Sequence, residues 1–211
     1  MEHQHPPTPA QPQSRREFST IPSLATMPFH QNSVRQIRRH IITYSDVCRA
    51  NDATTTELEN LGFWSERLEK IEVYWTVASL DCYGWYQGDI YIPAVTGAHL
   101  SDYFQGRYVR LTDILRHEWG HAVADKWPAL IDTRRFVRDF GSPYESPNPV
   151  WRYDPDQHLT RYAATMPCED FAETFYLFLR HKGRLPVRLR AKPKIVRKWQ
   201  FLEWMAGKIS R

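Results

Sequence analysis

Two histidines four residues apart, with a glutamate beside the first, form the pattern His117-Glu118-Trp119-Gly120-His121. Neutral imidazoles bind zinc at about 2.0–2.1 Å, and a catalytic zinc site keeps three protein ligands and leaves a position for water. Residues i and i+4 are neighbours on a helix, so the two rings can converge on one cation. Glu118 then flanks that cation without binding it. A carboxylate so placed can take a proton from activated water and pass it to a leaving amine. The pattern predicts a device for adding water to a polarised carbonyl.

A third ligand can come from downstream. The segment Tyr162-Ala-Ala-Thr165-Met-Pro167 leads into Cys168-Glu169-Asp170-Phe171-Ala172-Glu173-Thr174-Phe175-Tyr176-Leu177-Phe178-Leu179, where the proline stands at a helix start. Glu169 and Glu173 share one face of this helix, and either carboxylate can meet the histidines. Phe171, Phe175 and Phe178 recur at helical spacing on another side and pin the helix to a core. His158 is an alternative third ligand or oxyanion donor, although Asp154 and Asp156 beside it favour an exposed loop imidazole. Cys168 adjoins Glu169, and a small buried thiol is its plainer reading.

These motifs resemble the gluzincin class of zinc metallopeptidases, in which His-Glu-x-x-His is followed some tens of residues later by a helical Glu-x-x-x-Glu. Within that class the similarity is greatest to the catalytic core of the anthrax lethal factor type. It rests on His117-Glu-Trp-Gly-His121-Ala-Val-Ala-Asp125, Phe136-Val-Arg-Asp139-Phe140, Tyr162-Ala-Ala-Thr165 and Glu169-Asp-Phe-Ala-Glu173, in the same order and with similar spacing. The resemblance implies a zincin-like fold of the α+β class, with a small, mostly antiparallel sheet, then the metal-binding helix, then a mainly helical C-terminal part. It implies one zinc ion per chain held by His117, His121 and Glu169, with Glu118 as general base. Glu173 becomes the carboxylate that orients a histidine, and Tyr162 the hydroxyl facing the developing oxyanion. It also implies that the strand before the metal helix is a sheet edge on which an extended substrate pairs. Asp89, Ile90, Tyr91 and Ile92 are the candidates, with Pro93 ending the pairing. The toxin's further domains have no counterpart in this chain, so its substrate does not carry over. The metzincin arrangement is excluded by counting, because its third histidine would fall on Trp127.

The elements that must position these residues follow from periodicity. Leu111, Leu115 and Ala122 predict a metal helix with one face packed inward. Val34, Ile37, His40, Ile41 and Tyr44 predict an earlier helix, and Leu58, Leu61, Trp64 and Leu68 a second one capped by Thr54-Thr55-Thr56. Ile71 to Val77 and Asp89 to Pro93 alternate with β-branched and aromatic residues, separated by a turn region from Cys82 to Gly88, which predicts two or three short strands. Gly141 to Pro149 is dense in chain breakers and is placed as a loop rimming the cleft.

With 211 residues and 42% hydrophobic content, the chain suffices for one domain with a real core. Residues 33–211 are assigned to that domain. Residues 1–32, rich in Pro and Gln and poor in aliphatics, read as a disordered tail. No apolar run approaches the roughly 18 residues that span a bilayer, and the N-terminus lacks a secretion signal, so a cytoplasmic protein is expected. Three widely spaced cysteines with no Cys-x-x-Cys suggest neither a disulfide framework nor a thiolate zinc site. From Arg180 to Arg211, 11 Lys or Arg face one acid, Glu203, a balance of +10, so the remaining chain carries −6 of the total +4. That asymmetry supports a rival reading, a non-catalytic metal-stabilised module that binds nucleic acid or an acidic partner through its basic C-terminus. Against it, Ile195, Trp199, Leu202 and Met205 make an apolar helical face, so most of these cations read as the solvated side of a packed helix.

Overall fold

The structure is a computed structural model, and it describes residues 41–77, 83–96, 99–100, 110–146 and 152–211. The Pro/Gln-rich segment and the residues expected to begin the first helix lie outside that set. The first described helix, α1 (Tyr44–Asn60), starts later than expected. Thr43 accepts from the Asp46 N–H while the Asp46 carboxylate accepts from the Thr43 N–H, a reciprocal capping box. Ile41, expected inside a helix, instead forms a bridge to Thr96.

The expected boundary at Thr54-Thr55-Thr56 does not exist, because α1 runs through it. The Thr54 hydroxyl donates to the Ala50 carbonyl at 2.9 Å, and those of Thr55 and Thr56 donate to the Asp52 carbonyl. Threonine can cap a helix or bond back along it, and here it does the second. The stop comes at Gly62, whose φ of +79° suits the left-handed turn after a helix end.

Strands β1 (Val73–Thr76), β2 (Gly84–Tyr86) and β3 (Asp89–Pro93) form one sheet in the order β1-β3-β2. β2 lies within the segment expected to be a turn. Gln87 and Gly88, at φ +50° and +97°, make the two-residue turn that joins it to β3. β2 is antiparallel to β3 and β1 is parallel to it, so the sheet is mixed rather than mostly antiparallel. β3 is also central. Ile90 pairs with both Val73 and Trp85, and Tyr91 with both Tyr74 and Gly84. The expectation that Asp89, Ile90, Tyr91 and Ile92 form a substrate-pairing edge is therefore corrected: Ile90 and Tyr91 have strands on both sides, Asp89 is paired with β2 and Ile92 with β1.

The remaining described elements are helical: α2 (Leu111–Lys126), the short α3 (Pro128–Ile131), α4 (Arg134–Phe140), α5 (Pro167–Arg180), a 3-10 turn at Val187–Leu189, and α6 (Pro193–Ile209). The described chain is thus α+β, with a small three-stranded sheet and mostly helical content. α2 is buried on more than the one expected face, with Asp113, His117 and Glu118 as inaccessible as Leu115 and Val123. It packs chiefly on α5, and Phe171, Phe175 and Phe178 of α5 are buried as their spacing implied. Phe136 and Phe140 of α4 and Phe201 of α6 complete an aromatic core with Phe171. Ile195, Trp199, Leu202 and Met205 of α6 are all buried. Among the described residues, no helix is long and apolar enough to cross a membrane.

Candidate metal centre

The helices α2 and α5 face each other with ligand-type atoms one turn apart on each. His117 and His121 lie at 2% and 13% exposure, the latter for its side chain, and their Nε2 atoms stand 3.2 Å from each other. Glu169 Oε2 lies 3.2 Å from His117 Nε2 and 3.5 Å from His121 Nε2. These three residues form the metal-capable group among the described residues. Bonds of about 2.0–2.1 Å place the ligand atoms of a tetrahedral zinc centre about 3.3 Å apart. The triangle of 3.2, 3.2 and 3.5 Å fits that size. The buried Glu169 Oε2 has no hydrogen-bond partner, which a cation would remedy.

The far nitrogens of the two rings are held differently. His117 Nδ1 lies 3.0 Å from Glu173 Oε1, a carboxylate one turn along α5 from Glu169 and fully buried. His121 Nδ1 lies 3.0 Å from the Tyr144 hydroxyl. Such contacts fix ring orientation and tautomer, leaving Nε2 to bind. Tyr144 comes from the breaker-dense loop and packs on Phe136 and Phe171. No spacing rule in the sequence singles it out, because the contact joins a loop to a helix 23 residues away.

Charge in the centre is balanced through the histidines. Burial opposes a proton on His117, but the Glu169 and Glu173 carboxylates set against its two ring nitrogens and the charge of Glu118 outweigh it, so the imidazole is pushed up to about 10. Burial would raise Glu169, yet the two imidazoles hold its carboxyl well below the usual carboxylate range. The cluster therefore attracts positive charge.

Glu118 is 5% exposed and reaches the sheet, where its Oε2 accepts the Trp85 N–H at 2.7 Å. That bond shows which way β2 presents its backbone: the Trp85 N–H points away from β3, toward α2. Tyr162 is half-buried beside the centre, its ring centroid 5.9 Å from that of His117. His117, Glu118, His121, Tyr162, Glu169 and Glu173 are thus brought together. Asp89, Ile90, Tyr91 and Ile92 are not, and β2 stands in their place.

His158 is not in the cluster and is not exposed. It is 6% accessible, and its Nδ1 accepts the Asp154 N–H at 3.3 Å within its own turn. Cys168 is buried, and burial together with Glu169 pushes its thiol up to about 12, as suits an unreactive side chain. Comparison of the chain with protein-family models, curated proteins and solved structures returns no match.

Proposed function

We propose that this chain is a zinc-dependent endopeptidase with a zincin-like arrangement of helix, sheet and centre. The observation that carries the reading is the triangle of His117 Nε2, His121 Nε2 and Glu169 Oε2, sized for a tetrahedral ion and backed by Glu173 and Tyr144 on the opposite ring nitrogens. Zinc held there supplies Lewis acidity toward a carbonyl and toward water.

The chain's own groups supply the rest. Glu118 removes a proton from the attacking water and returns it to the departing amine nitrogen, so one water is consumed and an acid and an amine are formed. Tyr162 donates its hydroxyl to the carbonyl oxygen as negative charge collects there. Glu173 and Tyr144 keep the two imidazoles from turning. An extended substrate lies along the outer edge of β2, which offers the Trp85 carbonyl while the Trp85 N–H is held by Glu118.

The test combines elemental analysis with a peptide-library cleavage profile on the parent chain and on Glu118→Gln. Zinc near one per chain in both is expected, with hydrolysis in the variant lower by roughly 10²–10⁴-fold. Unimpaired hydrolysis by Glu118→Gln removes the base. No cleavage by either protein, with steeply salt-dependent nucleic-acid binding that ignores chelator, supports the non-catalytic module instead.

A further inference from the structure

We propose that Gly84 is a positioning residue for Glu118: the missing side chain at this point of β2 is the seat into which the carboxylate fits. A Cβ built at Gly84 would stand 2.6 Å from Glu118 Oε2, 2.8 Å from its carboxyl carbon and 2.9 Å from Oε1. No Cβ tolerates those distances, so a side chain there displaces the carboxylate from the strand. With it goes the 2.7 Å bond from the Trp85 N–H. The backbone at Gly84 is also left-handed, at φ +81°, so glycine is favoured twice, once by conformation and once by the neighbour.

The inference rests on the proposed peptidase reading for its function and on geometry alone for the seat. A general base works only within hydrogen-bond reach of the proton it takes. Glu118 extends from a buried helix across to a sheet edge, and a flexible side chain spanning that gap needs a fixed end point. The Trp85 N–H and the space above Gly84 provide it. The seat lies on the strand edge proposed for substrate, so the base and the scissile bond are referenced to one piece of backbone.

Gly88 offers an internal control. It belongs to the same hairpin and is also left-handed, at φ +97°, but a Cβ there meets nothing within 4 Å. Gly88→Ala therefore carries the backbone penalty without the collision.

The experiment follows hydrogen exchange at the Trp85 amide in metal-free protein, for the parent, Gly84→Ala, Gly88→Ala and Glu118→Ala. A bond to a carboxylate slows that amide by at least about tenfold. The parent and Gly88→Ala should show the protection, and Gly84→Ala and Glu118→Ala should lose it. Protection that survives in Gly84→Ala overturns the proposal. Should Gly84→Ala fail to fold, the double variant Gly84→Ala/Glu118→Ala, which removes the colliding carboxylate, should fold as Gly88→Ala does, and its failure to do so overturns the proposal equally. In the zinc-loaded chain, Gly84→Ala should lose roughly 10²-fold in kcat at unchanged zinc content and KM, while Gly88→Ala keeps its rate. If the exchange pattern holds and no form cleaves any peptide, the seat stands and the peptidase reading falls.

Discussion

On the face of α5 turned to α6, Asp170 meets Lys198, both nearly inaccessible, and the Lys198 ammonium also donates to the Gln157 carbonyl. On the face turned to α2, Glu169 and Glu173 meet two imidazoles that need no permanent charge. The first face sets one carboxylate against one ammonium. The second gathers three carboxylates, counting Glu118, around groups that become cationic only by taking up protons. One helix thus carries an ion pair and a candidate metal centre within five residues. Buried charge alone therefore does not mark function.

Breaking the Asp170–Lys198 pair should have the largest effect on stability. Lys198→Met strands the Asp170 carboxylate and is expected to cost about 3–5 kcal/mol in urea unfolding. Pairing it with Asp170→Leu should recover most of that loss, because no uncompensated charge remains. Zinc content should stay unchanged in both, and a loss of zinc from a folded Lys198→Met protein would join the two faces that the comparison separates.

The face turned to α2 sharpens the contrast at smaller cost to the fold. Glu173→Gln and Tyr144→Phe should each weaken zinc binding by about 10–100-fold, read by competition with a chromophoric chelator. The Glu173 change is expected to be the greater, since a charged acceptor holds the His117 N–H more strongly than a hydroxyl holds that of His121. Equal affinities for parent and Tyr144→Phe would show that ring orientation is set by packing alone.

The smallest effect concerns His158, near the Asp170–Lys198 pair. Burial, then the Lys198 charge and more weakly Lys194, lower its pKa, while the charge of Asp154 opposes them. The unfolded chain therefore takes up this proton first as pH falls below about 6.5. Stability present above that pH is lost on going below it, until the folded histidine titrates as well. Urea midpoints at pH 7.5 and 5.5 should differ less for His158→Gln than for the parent.

The parts of this architecture that could be read in advance share a cause. His117 with His121, and Glu169 with Glu173, are each set by one helical turn, and Phe171, Phe175 and Phe178 mark the opposite face by the same period. Threonine was misleading, because Thr43 caps α1 whereas Thr54 to Thr56 sit inside it, and a hydroxyl is competent for both roles. β2 was hidden by its shortness and by Gly84 and the turn glycine Gly88 on either side of it, and with it the true edge of the sheet. Tyr144 lies in a loop with no period at all.

Taken by themselves, the residue types and their helical spacing determined which side chains share a face and which ones can bind a cation, since both properties are local to one turn of backbone. Strand order, the union of α2 with α5, the hydroxyl behind His121 and the meeting of Glu118 with Trp85 and Gly84 were decided only by tertiary structure. Each of these joins segments far apart in the chain, and their approach depends on how the whole core packs rather than on any nearby pattern.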